Sequence, residues 1–536
     1  MQNFEIIIIV LAVLIGFLAI ADKAKFPNPV LLVLAGLGIG FLPFLPSLVL
    51  NPEVVFLLFL PPVLYDAASH TSWHDFKSEI GPISTLAILL VFLTTMAVAT
   101  VCYFFIPGFN WPLAFVLGAI VSPPDAVAAT NITKGLGLNK RVITILEGES
   151  LVNDASALIA YRFAIAAIGT GAFTFWKAGL NFLIVAGGGV LIGIAIGYLF
   201  IIAHKRILNN SIISTSLTLL TPFISYLAAE HMHTSGVLAV VSAGLMISWR
   251  APEIFSYQTR IRNRAVWDTM IFLLNGFIFI LIGLRLPLIL ADLTEYSAGQ
   301  LITYGLLVSG VTITVRVLWV FGAAYSPITR KHDGNLEKGS DDRETWKNVL
   351  IVAWTGTRGV VSLATALALP LTLSNGDSFP HRSLILFLAF VVIFMTLVIQ
   401  GLSLPLLIKL LGVKPRSNQM DQERELRLLL ANSVINFIEH EISIAMNEAL
   451  KMKIKKRYTE MIHVLSQQAT DNTTESPLPS DSPLVAAQRE INRFQRQLLI
   501  SFHKEGTFNQ STIRRLEQEL DHEEQQMGRL PKKDKL

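Results

Sequence analysis

Residues 113–130 read LAFVLGAIVSPPDAVAAT, and residues 143–168 read ITILEGESLVNDASALIAYRFAIAAI. Each is apolar and long enough to cross a bilayer, which takes about 20 helical residues. Each also carries charge at membrane depth, where an ionised side chain costs at least about 2.5–3.5 kcal/mol even on the mildest scale. Residues kept at that cost face a cavity and work in it. In the first stretch, Ser122-Pro123-Pro124-Asp125 sits near the middle. Pro124 has no N–H, and each proline disfavours helical geometry in the residue before it. The helix is therefore expected to break at Pro123 and Pro124. Freed carbonyls and a half-helix N-terminus then face a cavity beside Asp125, which is how secondary transporters hold ions. A plain proline kink with Asp125 as a helix cap is the competing reading.

The second stretch gathers Glu147, Glu149, Ser150, Asn153, Asp154 and Arg162. Ser150 and Asp154 stand four apart and share a helix face. Glu149 and Asn153, also four apart, form a neighbouring strip about 100° round. One strip presents a carboxylate and a hydroxyl to an ion, and the other anchors to a different helix. Glu147 and Arg162, taken singly, read as satisfied polar groups of a buried helix.

A third stretch, 349–369, reads VLIVAWTGTRGVVSLATALAL, with Gly356 and Gly359 flanking Arg358. Glycine weakens a helix, so an interruption is expected here too. A buried arginine needs a carboxylate, and Glu149 is the preferred partner. Residues 54–69, VVFLLFLPPVLYDAAS, place Asp66 after another Pro-Pro pair, at the cavity or at its cytoplasmic mouth. Glu230, His231 and His233 fall near a membrane surface and read as loop residues, with pH sensing as the sharper alternative. Arg316 and Asn275-Gly276 are polar features of apolar segments to which the sequence assigns no role.

Around these stretches, 52 % of the 536 residues are hydrophobic, only 15 % are charged, and the mean hydropathy is +0.55. That composition excludes a soluble globular protein of this length. About thirteen apolar segments follow one another between residues 4 and 411 by the length rule. Breaks in the fifth and twelfth fit two inverted six-helix repeats joined by one linking helix, because an odd offset inverts the second copy. Basic residues alternate between loops. Lys134, Lys140 and Arg141, then Arg260, Arg262 and Arg264, then Arg330, Lys331 and Lys338 all follow odd-numbered segments. The positive-inside rule puts the N-terminus outside and the C-terminus in the cytoplasm. The start, Met1-Gln2-Asn3-Phe4-Glu5, lacks the basic region of a signal peptide and reads as a retained first helix. The net charge of +4 is small and spread over loops and tail, so no nucleic-acid partner is expected. Cys102 is a lone cysteine inside an apolar run, and no cofactor is implied.

The expected organisation is a transmembrane domain over 1–416 and a cytoplasmic helical tail over 417–536. Residues 422–466 and 485–526 read as helical, with Leu426, Leu429, Leu430, Ile435 and Ile438 at helical spacing. Residues 470–483, rich in Ser, Thr, Pro and Asp, read as a linker between them. The tail is an appendage for dimerisation or stability, or else a regulatory domain with unidentified partners.

The motifs FLPPVLYDA, SPPDAVAAT, GESLVNDASA, AEHMHTSGVLAVVSAGL and TGTRGVVSLA occur in that order. With them the chain resembles the monovalent cation/proton antiporters of the NhaP/NHE type over most of residues 4–413. The resemblance implies an all-α membrane protein acting as a homodimer among lipids of the cell (inner) membrane. Each protomer would have an interface domain and a core domain with two broken, crossing helices. It implies that sodium, lithium or potassium is exchanged for protons, in pH and cation homeostasis. Matching the motifs puts sodium and proton binding on Asp154, Asp125 and Ser150, with Asp66 at an ion-site or access-path position. It puts a structural ion pair on Glu149 and Arg358, braced by Asn153. The Asn153-Asp154 pair resembles electroneutral exchangers. Many bacterial relatives have threonine where this chain has Pro124, which leaves only a backbone carbonyl as ligand there. Two rivals are a cation channel, for which no filter-like segment is evident, and an intramembrane hydrolase using Ser150 with the histidines near 231–233.

Overall fold

The computed structural model describes residues 12–17, 28–41, 52–125, 140–170, 175–206, 210–325, 342–373, 376–412, 418–442, 448–466 and 482–529. Among the described residues the chain is helical and has no strand beyond an isolated bridge between Thr372 and Ser378. Eight of the described helices are long and apolar enough to cross a membrane. The helices of eight residues or more are α1 (Asn28–Gly40), α2 (Pro52–His70), α3 (Ile80–Phe105), α4 (Trp111–Val121), α5 (Lys140–Thr170) and α6 (Phe175–Arg206). They continue as α7 (Ser211–His231), α8 (Gly236–Ile254), α9 (Tyr257–Asp292), α10 (Ala298–Ala324), α11 (Asp342–Trp354), α12 (Val360–Leu367) and α13 (Arg382–Leu411). The last four are α14 (Asn418–His440), α15 (Glu448–Ser466), α16 (Ser482–Glu505) and α17 (Gln510–Arg529).

The chain forms two compact units. The larger comprises Met1–Arg206, Ser216–Arg250 and Ala265–Pro415. Local chemistry sets the ends of its helices. The Asn110 side chain accepts from Leu113 N–H at 3.0 Å and starts α4, with Pro112 in the first turn where its missing N–H costs nothing. Ser297 and Gln300 close a capping box at the start of α10. α4 ends at Val121, where Ser122-Pro123-Pro124 cannot continue the hydrogen-bond ladder. α11 ends at Trp354, the chain over 355–359 is not helical, and α12 resumes at Val360. Two membrane helices contain π-helical turns, at Thr85–Leu90 in α3 and Thr396–Gln400 in α13. A core of Leu90, Leu146, Val320, Ile351, Leu404 and Ile408 joins α3, α5, α10, α11 and α13. By contrast α6 exposes Leu183, Ile184, Leu191 and Leu199, each more than half accessible. Such a continuous apolar face belongs against lipid.

The smaller unit comprises Ile207–Thr215, Ala251–Arg264 and Arg416–Leu536. Its core is two clusters. Val434, Ile438, Ile454, Tyr458 and Ile491 pack in one, and Leu426, Leu430, Leu499, Ile513 and Leu516 in the other. Gly506, at φ 69°, ends α16 by donating its N–H to the Phe502 carbonyl at 3.0 Å. That left-handed cap splits the helical stretch expected over 485–526 into α16 and α17. The stretch expected over 422–466 is likewise two helices, α14 and α15.

Several sequence expectations fall outside the described residues. These are most of the first segment, the second half of the fifth beyond Asp125, the basic loop 326–341 and residues 470–481 of the linker expected over 470–483. The tenth segment, expected over 266–284, extends as α9 from Tyr257 to Asp292 and contains Pro287.

Candidate functional site

The two interrupted stretches lie against each other. The Asp125 N–H donates to the Thr357 carbonyl at 2.6 Å, and the Thr357 hydroxyl donates to the Asp125 carbonyl at 3.1 Å. The Ser362 hydroxyl, in the first turn of α12, reaches the Pro123 carbonyl at 3.5 Å. Backbone groups freed by each break thus satisfy one another, as they must where no water competes. The approach is close. A Cβ at Gly359 would fall on the Asp125 carboxylate, and one at Gly356 would lie 2.5 Å from Arg316 Cδ. The two glycines therefore provide clearance as well as a break.

α5 supplies the next layer. Asn153 is buried and its Nδ2 donates to the Pro124 carbonyl at 2.8 Å, fixing α5 to the first break. Asp154, one residue on, is only 6 % exposed. The Asp125 carboxylate is close enough for the two negative charges to repel. Asp154 makes no hydrogen bond or salt bridge among the described residues. Ser150 stands one turn before it on the same helix face.

The arginines are distributed differently from the sequence expectation. Glu149 is held by Arg316 of α10, which donates from Nη1 to Oε1 at 2.6 Å and from Nη2 to Oε2 at 3.0 Å. Arg316 Nη2 also reaches the Val352 carbonyl at 3.2 Å. Both partners are buried. Arg358, the partner expected for Glu149, instead donates through Nε to the Val121 carbonyl at 2.8 Å and through Nη1 to the Gly356 carbonyl. Its backbone N–H goes to Thr396 Oγ1 at 3.1 Å, in the π-helical turn of α13. Arg358 still feels the Glu149 charge, but it sits where α4 and α11 end, and the last carbonyls of a broken helix take it. Asn153 accordingly braces the Pro124 carbonyl rather than an ion pair. Arg316 was visible in the sequence as a charge in an apolar segment, and nothing in its spacing told it apart from Arg358 as the partner of Glu149.

Asp66 lies elsewhere on α2. Its carboxylate is 3.4 Å from His70 Nδ1, and it feels the charge of Asp268 on α9. Arg162 pairs with Glu230 at 2.7 Å. His231 ends α7 and His233 follows in a turn with φ 54°.

Two interrupted helical stretches that meet beside a buried carboxylate, in a polytopic membrane protein, are an arrangement of the kind ion carriers use. The chain belongs to the sodium/hydrogen exchanger family, whose transmembrane pattern matches residues 8–410. It is 34 % identical over 480 residues to a sodium, potassium, lithium and rubidium/H(+) antiporter of Bacillus pumilus, covering 85 % of this chain and 70 % of that one. It is 32 % identical over 431 residues to the Na(+)/H(+) antiporter NhaH of Halobacillus aidingensis, covering 76 % and 97 %. In fold it is similar to the sodium proton antiporter MjNhaP1 of Methanocaldococcus jannaschii. The TM-score is 0.58 at 22 % identity, over 77 % of this chain and all of that one. The protein is a membrane transporter that exchanges cations for protons.

Proposed function

We propose that the protein exchanges sodium, or lithium or potassium, one-for-one with protons, and that Asp154 is the group that carries either ion. The observation that carries this reading is the isolation of Asp154. The two neighbouring arginines are committed, Arg316 to Glu149 and Arg358 to backbone carbonyls. A buried carboxylate with no cationic partner is costly, so it holds a proton or a metal cation and never stays bare. Asp125 and Ser150 supply further oxygens, and backbone carbonyls at the breaks are of the kind that replace an ion's water shell. Asp66 belongs to the access path from the cytoplasm. The ion-loaded core then shifts past an interface domain held in a homodimer of the cell membrane, with the N-terminus outside and the tail in the cytoplasm. A bare anionic site does not make that shift, and this couples the two fluxes.

The test is Asp154→Asn in everted vesicles with a pH dye, adding each alkali cation in turn. The expected result is loss of cation-dependent proton movement with normal membrane insertion. Normal rates from the inserted variant would remove Asp154 from the role.

Stoichiometry follows from which groups titrate. Asn153 cannot ionise. On this reading Asp154 alone alternates between proton and cation, and Asp125 keeps one charge state throughout the cycle. One proton then leaves for one cation. In proteoliposomes with a clamped potential, voltage alone is expected to drive no sodium movement. Voltage-driven sodium flux would make Asp125 a second proton carrier.

A further inference from the structure

Away from Asp154, a cavity of about 70 Å³ lies between α9 and the α12–α13 connection. That is several times the roughly 10–15 Å³ a single water needs. Its polar lining is Arg285 and Asp292 of α9 with Arg382 and Ser383 of α13, and leucines make up much of the rest. We propose that this cavity binds the phosphate group of a phospholipid, with Arg285 as its principal ligand.

The argument is one of charge and of what covers it. Arg382 is already engaged. Its Nε donates to the Leu369 carbonyl at 3.2 Å, and Asp292 attracts it. Asp292 in turn accepts from the Ser383 hydroxyl at 3.0 Å. Arg285 has no hydrogen bond or salt bridge among the described residues, and it stands close enough to Arg382 for the two guanidinium charges to repel. Two arginines and one aspartate leave the cluster with an excess of positive charge. A half-buried pair of like charges is unfavourable until an anion joins it. A guanidinium fork offers parallel N–H donors that match two phosphate oxygens. The walls decide the source of the phosphate. Leu288 and Leu371, which also line the cavity, are 43 % and 56 % exposed. They carry its apolar lining out to the surface of a membrane helix, where acyl chains run.

The experiment uses the full chain, delipidated in detergent, with phosphatidylglycerol, phosphatidylcholine or inorganic phosphate as the added probe and the melting temperature as readout. Phosphatidylglycerol is expected to raise the melting temperature of the wild type by several degrees and phosphatidylcholine by much less. Arg285→Gln is expected to lose most of that difference, while Arg206→Gln, at an exposed site outside the cavity, keeps it. An undiminished phosphatidylglycerol shift in Arg285→Gln overturns the assignment. So does a shift with inorganic phosphate and none with the lipid, which would make the site one for free anions. Should Arg285→Gln not fold, the wild type still decides. A photoactivatable phosphatidylglycerol is expected to label peptides spanning 281–292 or 367–386, and labelling confined to other helices overturns the proposal.

Discussion

The ion pair of Glu149 with Arg316 shows how burial decides what a charge contributes. Both side chains are almost wholly removed from solvent, and two short parallel hydrogen bonds join them. Desolvating both costs several kcal/mol per ion, which their attraction recovers only while both are present. Arg316→Ala should therefore lower stability by about 3–5 kcal/mol, read as a clear fall in melting temperature in detergent. Glu149→Gln added to it should restore part of the loss, because no unpaired charge then remains. A double variant no better than Arg316→Ala would show that the pair is not the unit that matters. Arg358→Ala should behave differently. It removes hydrogen bonds to the Val121 and Gly356 carbonyls, so restoration by Glu149→Gln is not expected. At this scale the sequence was informative about which residues are buried and costly. It was silent about which arginine meets which carboxylate, because that depends on how α5, α10 and α11 pack.

At the scale of elements, the breaks were legible and their purpose was only half so. Consecutive prolines at 123 and 124 and a Gly-Thr-Arg-Gly run at 356–359 stop helices for local steric reasons. The pairing of Asp125 with Thr357 across 232 positions of sequence has no local signature. Nor do the π-helical turns, one of which receives the Arg358 N–H on Thr396. Gly359 illustrates the difference. The sequence explains it as a weak point in a helix, and the structure explains it as room for the Asp125 carboxylate. Gly359→Ala tests which property matters, since alanine is a better helix former. The Cβ should displace Asp125, so cation-driven proton movement should fall at least tenfold or need far more sodium. An unchanged sodium dependence would show that the Asp125 carboxylate does not need the space that Gly359 leaves.

At the scale of the whole molecule, the smaller unit binds its own piece of the inter-helix linker. Arg260, in the first turn of α9, forms a two-pronged ion pair with Asp521 of α17. Lys504 of α16 meets Glu253 at 2.7 Å. Beside Asp521 lies Glu517, buried, with Arg264, Arg496 and Arg514 also acting on it. Burial, reinforced by the Asp521 charge, pushes Glu517 up to about 7, and burial pushes Asp521 up to about 6 against the pull of Arg496, Arg264 and His522. For an acid with a raised pKa the folded state favours the protonated form. The stability so gained is fully present below the unfolded value and is lost as pH rises through the folded one. For Glu517 that loss amounts to roughly 3 kcal/mol and accrues as pH rises from its ordinary value of 4.5 to about 7, with Asp521 preceding it between 3.8 and about 6. Hydrogen exchange in full-length protein, corrected for intrinsic rates, should therefore speed up over 482–529 as pH rises from about 4.5 to about 7. Glu517→Gln, which keeps the shape and removes the titration, should flatten that dependence while leaving exchange near pH 4.5 nearly unchanged. A wild-type profile that stays flat across this range, after correction for intrinsic exchange, would mean that the arginines already hold Glu517 ionised.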